Sequence, residues 1–219
     1  MKTWHVVVVV AASMLLSLGV MWIVTAPKGT TTASGTAAAV APAQLLEREH
    51  AATAGPPDAK VHIVEFLDPA CETCRDFYPL VKKMLADNPG KIRLSVRLVP
   101  FHKGSDFVVK ALEASKKQGR FWPVLERLLA SQSVWAVQHT VKPELAWEQL
   151  APLGLNLDQL KADMESPEVA RAMALDAQDA RSLKVTQTPE YFVNGRSMPT
   201  FGYEPLRQLV AEAMASAYR

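Results

Sequence analysis

The chain contains only two cysteines among its 219 residues, and they lie together in Cys71-Glu72-Thr73-Cys74. A disulfide between them would close almost no loop, so it would contribute little loop-closure entropy as a structural crosslink. A structural zinc site needs four ligands, of which this pair supplies two. The pair therefore favours reversible thiol–disulfide exchange, and metal binding or an inert pair remain the alternatives.

Several other features that would point to a function are also missing. The five histidines show no HxxxH-type spacing, and a chain of net charge +2 carries no Lys/Arg stripe or basic patch interleaved with aromatic residues. Nucleic acid is therefore not predicted as a partner. With 49% hydrophobic and 21% charged residues, the body of the chain has the composition of a soluble domain. Residues 58–219 suffice for one well-filled core.

One long uncharged run lies at the start of the chain. Residues 4–26 carry no formal charge, and at about 1.5 Å per residue they would span a hydrocarbon core of roughly 30 Å. We predict that residues 1–26 are a signal anchor in the inner (cytoplasmic) membrane, with a cleaved signal peptide as the alternative. Either would place the body on the periplasmic, extracytoplasmic side, where disulfides persist. Residues 27–57 predict a flexible linker with a short helix over 44–54.

A strand and a helix frame the cysteine pair. The apolar run from Val61 to Leu67 predicts a buried strand, and apolar residues at spacings of three and four after Cys74 predict a helix that begins at the pair. Backbone amides at a helix start stabilise negative charge. They therefore favour a nucleophilic thiolate at Cys71.

The remaining patterns predict the order of the other elements. Residues 92–99 alternate apolar and polar side chains and predict a second strand. The patterns of residues 105–184 are almost wholly helical. An aromatic and β-branched run before Asn194-Gly195 predicts a hairpin, and residues 203–218 predict a final amphipathic helix. The predicted order is β, α, β, a block of helices, ββ, α.

Taken together, these residues resemble the DsbA-like branch of the thioredoxin-fold family over residues 58–219. In that family a strand–CxxC–helix unit is joined by a distant Xaa-Pro in cis, just before a strand that ends in Asn-Gly. Thr188-Pro189 and Asn194-Gly195 occupy those positions here. The resemblance implies an α/β thioredoxin fold with a helical insertion, about residues 105–184, between an N-terminal βαβ half and a C-terminal ββα half.

The resemblance also implies a thiol–disulfide oxidoreductase that needs no cofactor beyond a redox-active Cys71–Cys74 disulfide. Cys71 would be the exposed attacking thiolate, and Cys74 the shielded sulfur that resolves the mixed disulfide. Thr188 and Pro189 would bind extended protein or peptide substrates, and a redox partner that the sequence does not identify would recycle the pair. Glu65, at the family's buried acidic position, would relay a proton to Cys74, or would simply reach the surface.

The residues between the cysteines bear on the direction of electron flow. Glu72 and Thr73 replace the Pro-His of DsbA oxidases, while Thr188 before the proline is more similar to isomerase and reductase members. Because a carboxylate opposes a neighbouring thiolate, we expect a midpoint potential less oxidising than that of DsbA. Two other functions stay open: a copper- or zinc-handling protein that uses the CxxC thiolates, and a chaperone-like peptide-binding module. His102, near the end of the second predicted strand, is assigned no role.

Overall fold

The computed structural model of the protein describes residues 40–219. The seven strands in this range are β1 (Ala52–Ala54), β2 (Val61–Leu67), β3 (Ile92–Leu98), β4 (Ala136–Val137), β5 (Thr140–Val141), β6 (Glu190–Val193) and β7 (Arg196–Ser197). The nine α-helices in the same range are α1 (Ala43–Leu46), α2 (Glu72–Asp87), α3 (Ser105–Ser115), α4 (Phe121–Ala130), α5 (Gln132–Trp135), α6 (Pro143–Glu148), α7 (Leu157–Met164), α8 (Pro167–Ser182) and α9 (Tyr203–Ala217).

Five of these strands form one sheet, in the order β1-β3-β2-β6-β7. The central strand, β2, pairs in parallel with β3 and antiparallel with β6. The first half is therefore a βαβ unit around α2, the second half is a ββα unit that ends in α9, and helices α3 to α8 lie between them in the chain. This architecture confirms the predicted α/β thioredoxin fold with a helical insertion. The hairpin predicted at Asn194-Gly195 is also present, between β6 and β7.

Alternate side chains of β2 face two different cores, because a strand directs successive residues to opposite faces. Ile63 and Leu67 belong to the larger core, which also contains both sulfurs. Val64 and Phe66 belong to a smaller core on the other face. Glu65 shares the face of Ile63 and Leu67, so the strand directs its carboxyl group toward the side of the sheet that carries the cysteines.

The helix predicted over residues 44–54 is wrong in its second part. Helix α1 ends at Leu46, and residues 52–54 form β1, which pairs antiparallel with β3 from Ala52 opposite Val96 to Ala54 opposite Leu94. Ala-Thr-Ala carries no apolar period of its own. The strand forms because the open edge of β3 supplies backbone partners, which a local sequence pattern does not show.

The predicted signal anchor or signal peptide at residues 1–26 lies outside the described residues, as does the linker up to residue 39. Within residues 40–219, no helix combines the length and the apolar character needed to cross a membrane. The anchor therefore stays a prediction.

Strand β3 carries a buried cation that its alternating sequence did not suggest. Polar residues of an alternating strand normally face solvent, yet Arg97 is 0% exposed. Its guanidinium group donates to Asp176 at 2.7 Å and to Asp179 at 2.6 Å, both on α8. Burial alone would raise the pKa of Asp179, but hydrogen bonds from Arg48 and Arg97 lower it below its usual value. The network thus joins β3 to α8 through paired charges.

We expect Arg97→Met to destabilise the protein by about 3–5 kcal/mol, because it removes the buried guanidinium group that both carboxylates share and leaves Asp179 with Arg48 alone. Chemical denaturation followed by circular dichroism measures this loss. Arg196→Met is the matched control, since the Arg196–Glu212 pair is 44% and 45% exposed. It should cost less than about 1 kcal/mol. Equal losses in the two variants would contradict a special role of the buried network.

Candidate active site

The two cysteines lie one turn apart at the start of α2. Cys71 is the N-cap residue of the helix, and its amide donates to the carbonyl of Asp68 at 3.0 Å. Both cysteines are free thiols. Cys71 is 6% exposed and Cys74 is 0% exposed. The prediction that Cys71 is exposed was therefore too strong, although Cys71 is the more accessible of the two.

Hydrogen bonds at the helix start favour the thiolate form of Cys71. The Cys74 thiol makes the largest contribution. Burial opposes it, while the Thr188 side chain and the amides of Cys74 and Thr73 support it, and together they lower the pKa of Cys71 to about 5. Burial, the hydrogen bond to Cys71 and the charges of Cys71 and Glu65 raise the pKa of Cys74 well above its usual value. At neutral pH the pair therefore holds one thiolate and one thiol.

The loop before β6 faces the sulfur of Cys71. The peptide bond between Thr188 and Pro189 is cis, which is the geometry that the family resemblance implies. In its thiol form, Cys71 donates to the carbonyl oxygen of Thr188 at 3.2 Å, across 117 residues of sequence. The Thr188 hydroxyl is buried and has no hydrogen-bond partner among residues 40–219. It is therefore available to the thiolate.

Glu65 is a fully buried carboxyl group on the cysteine side of β2. Its Oε1 accepts the hydroxyl proton of Tyr191 at 2.8 Å, while Oε2 has no partner within the described part of the chain. Burial raises the pKa of Glu65 to about 8; the Tyr191 hydrogen bond opposes this rise, and the negative charge of Cys71 adds to it. The alternative in which the Glu65 side chain reaches the surface is therefore wrong, and the proton relay stays a prediction.

Tyr191 is a site residue that the sequence argument missed. It lies opposite Glu65 in the register of β2 and β6, and its ring stacks on Phe77 of α2 at a centroid distance of 5.8 Å. Burial and the charges of Glu65 and Cys74 raise the pKa of Tyr191 well above its usual value. The hydroxyl therefore keeps its proton and donates to Glu65. The position of Tyr191 two residues after Pro189 was the available sequence signal.

Two further residues that the sequence argument missed hold the loop before α2. The buried carboxylate of Asp68 accepts the backbone amides of Ala70 and His102, each at 2.8 Å. Gln132 of α5 donates its side-chain amide to the carbonyl of Cys71 at 2.9 Å. The Asp68–His102 and Gln132–Cys71 contacts join segments that are distant in sequence, so no local pattern predicts them. They fix the position of the first sulfur relative to β3 and α5.

The two residues between the cysteines make different contacts. Thr73 adds its backbone amide to the groups that lower the thiolate pKa. The Oε2 atom of Glu72 lies 2.8 Å from Nδ1 of His139, in the turn between β4 and β5. The His139 ring stacks on that of His102 at a centroid distance of 5.0 Å, and Nδ1 of His102 lies 2.8 Å from Oδ2 of Asp68. The sequence patterns predicted neither this hairpin nor a role for the two histidines.

A dithiol at a helix start, with its two pKa values shifted in opposite directions and a cis-proline loop facing it, is an arrangement suited to thiol–disulfide exchange on a thioredoxin fold. Within residues 40–219, no cluster of three or more His, Cys, Asp or Glu side chains is arranged to hold a metal ion. Residues 47–212 match the family model described as Thioredoxin. The chain therefore belongs to the thioredoxin family, in its DsbA-like group.

Three individual proteins show how far the similarity extends. The "Probable disulfide bond formation protein D" of Bacillus anthracis is 32% identical over 64% of this chain and 68% of its own length. The "Na(+)/H(+) antiporter NhaA" of Herminiimonas arsenicoxydans is 31% identical over 66% of this chain. This match covers 22% of that protein, so the chain spans less than a quarter of its length. The crystal structure of a thioredoxin-like oxidoreductase from Silicibacter pomeroyi is 28% identical, with a TM-score of 0.68, and the match covers 78% of this chain and 96% of the other.

The raised pKa of Glu65 predicts that the stability difference between Glu65→Gln and its parent depends on pH. Both proteins carry Cys71→Ser and Cys74→Ser, so that the sulfurs do not titrate. In the wild type the unfolded carboxyl titrates near 4.5 and the folded one near 8; the serine background removes the Cys71 charge but keeps burial, which is the larger cause of the raised pKa. Between these values the folded state binds the extra proton, so stability falls as pH rises. Glu65→Gln carries no such group. The free energy of unfolding of Glu65→Gln, relative to that of the parent, should therefore increase from about pH 5 to about pH 8. The increase is at most about 1.4 kcal/mol per pH unit.

Denaturant titrations at several pH values provide this measurement. The matched control is Glu148→Gln, at an exposed position of α6, which should follow the parent at every pH. Parallel curves for Glu65→Gln and the parent would show that Glu65 is already ionised in the folded protein.

Proposed function

We propose that the protein is an extracytoplasmic thiol–disulfide oxidoreductase that exchanges disulfides with protein substrates through Cys71 and Cys74. The observation that carries this proposal is the opposite direction of the two pKa shifts. The low pKa of Cys71 provides a nucleophile at neutral pH, and the high pKa of Cys74 keeps the second sulfur protonated until the mixed disulfide has formed.

In the reducing direction, the Cys71 thiolate attacks one sulfur of a substrate disulfide. That S–S bond breaks, a mixed disulfide forms, and the released substrate thiolate takes a proton. Cys74 then gives up its proton and attacks the sulfur of Cys71, so the second substrate sulfur leaves. Two electrons have then passed from the cysteine pair to the substrate, with one proton from Cys74 and one from solvent. The reverse sequence oxidises a substrate dithiol, and the redox partner that recycles the pair sets the direction.

Glu65 is the proposed acceptor for the Cys74 proton. A carboxyl group with a pKa of about 8 both takes up and returns protons near neutral pH. Tyr191 occupies Oε1, so Oε2 is the oxygen left for transfer. In this proposal Tyr191 orients the acid and Glu65 moves the proton.

Thr188 and Pro189 are the proposed substrate-binding residues. An extended peptide would lie beside the Thr188 backbone as an added strand, and Pro189 has no amide that competes for its carbonyls. We include two exposed aromatic residues in this proposed surface, Phe201 and Tyr203, which are 47% and 45% exposed. Their rings pack on Phe77 at 5.2 and 4.2 Å. They provide apolar contacts for the side chains of a protein substrate.

Trapping of mixed disulfides tests the roles of the two sulfurs. Cys74→Ser removes the resolving sulfur, so it should accumulate mixed disulfides with client proteins through Cys71. Cys71→Ser should trap very few, because Cys74 is enclosed and protonated. Non-reducing gels of cells that express each variant give the comparison, with the double serine variant as the blank. Equal trapping by the two single variants would contradict the proposed roles.

Membrane attachment through residues 4–26, with the domain on the periplasmic face, is the proposed location. The full-length protein should then fractionate with membranes and release a soluble domain when the chain is cut within residues 27–43. Mass spectrometry of the mature amino terminus is the measurement. A soluble form that begins at or soon after residue 26 would identify a cleaved signal peptide instead.

A further inference from the structure

The turn between β4 and β5 has an unfavourable sequence for its backbone conformation. Val137 pairs with Thr140, which leaves Gln138 and His139 as a two-residue turn with φ values of 50° and 56°. Turns of this kind favour Asn-Gly, because a larger side chain at positive φ is strained. The hairpin between β6 and β7 follows the rule with Asn194-Gly195. A departure from local preference is expected where function constrains the residue.

This turn places His139 beside Glu72, the residue that follows Cys71. Its Nδ1 lies 2.8 Å from Oε2 of Glu72, and the two side chains are 60% and 36% exposed. Backbone hydrogen bonds hold the hairpin in place: the amide of Val141 donates to the carbonyl of Lys103 at 2.9 Å, and that of Lys142 to the carbonyl of Trp135 at 2.7 Å. The contact with Glu72 therefore arises from a fixed hairpin.

His102 supports the His139 ring from behind. The two rings stack with an interplanar angle of 20°, and His102 is itself anchored to Asp68 by its ring and by its backbone amide. Asp68 also accepts the amide of Ala70 in the loop before α2. The same buried carboxylate thus helps to position both the cysteine loop and the imidazole that contacts Glu72.

We propose that His139 is a positioning residue for the redox pair, which binds the Glu72 carboxylate and reduces the effect of its charge on Cys71. This inference rests on the proposed function of the pair. An uncompensated carboxylate beside Cys71 disfavours the thiolate, and so favours the disulfide over the dithiol. The imidazole offsets that charge when it is protonated. The hairpin therefore makes the pair more oxidising than the Glu-Thr dipeptide would be alone.

Redox titration against glutathione, read by mass after thiol trapping, tests this inference in the full-length protein. In His139→Ala, the equilibrium constant with glutathione should favour the Cys71–Cys74 disulfide about threefold more than in the wild type. This is the size expected for a partly exposed ion pair. Threefold corresponds to a potential about 14 mV more negative, since tenfold is about 30 mV for this couple. The matched control is Gln138→Ala, in the same turn and also at positive φ, which should titrate like the wild type.

Coupling to Glu72 is the decisive comparison. In a Glu72→Gln background the His139→Ala change should have no effect, because the charge that it compensates is gone. A Gln138→Asn, His139→Gly variant should match or exceed the wild type in Tm while its potential shifts in the direction of His139→Ala. That result separates redox tuning from support of the hairpin.

The outcomes distinguish this inference from the proposed function. If the wild-type pair does not exchange with glutathione at all, the oxidoreductase proposal fails. If it exchanges and His139→Ala leaves its potential unchanged, the tuning role alone is wrong. A shift of equal size in the Glu72→Gln background would also overturn that role.

Discussion

The antiparallel pairing of β2 with β6 is the constraint on which the active site depends. Strand β2 runs toward the cysteine loop and β6 starts directly after Pro189, so pairing Phe66 with Glu190 brings the end of one strand beside the start of the other. Thr188 reaches Cys71 for this reason, although 117 residues separate them. The same register places Glu65 opposite Tyr191. A shift of one residue would turn every side chain of a strand to the other face.

Buried carboxyl groups on the two faces of the sheet have pKa values shifted in opposite directions. On the smaller core's side, Arg97 meets two carboxylates, and the pKa of Asp179 is lowered despite its burial. On the cysteine side, Glu65 has one neutral hydrogen-bond donor, and its pKa rises to about 8. Paired charges stay ionised and act as structural ties. A carboxyl group without a cation exchanges its proton in the range where thiols react, which suits redox chemistry rather than stability.

Sequence patterns were informative where the structure is local. Apolar periodicity located β2 and α2 around the cysteines, and Asn194-Gly195 located the last hairpin, because these signals arise from backbone geometry within a few residues. The cis peptide at Pro189 came from family resemblance alone, since cis is uncommon even before proline. Contacts over long separations had no signal. The alternation around Arg97 reads the same whether the side chain meets water or a buried carboxylate, and nothing beside His139 indicates that it reaches the cysteine loop.

The effect of Glu72 on the pKa of Cys71 is smaller than the sequence alone suggested. A carboxylate next to a thiolate is expected to raise the thiol's pKa, yet the pKa of Cys71 is about 5. The groups responsible are the Cys74 thiol, the Thr188 side chain and the amides of the first turn, and together they exceed the opposing effect of burial. Hydrogen bonds made directly to the sulfur therefore outweigh a partly exposed charge one residue away, which solvent screens. The helix start and the cis-proline loop make Cys71 reactive, and the pair of Glu72 with His139 adjusts a potential that they have largely set.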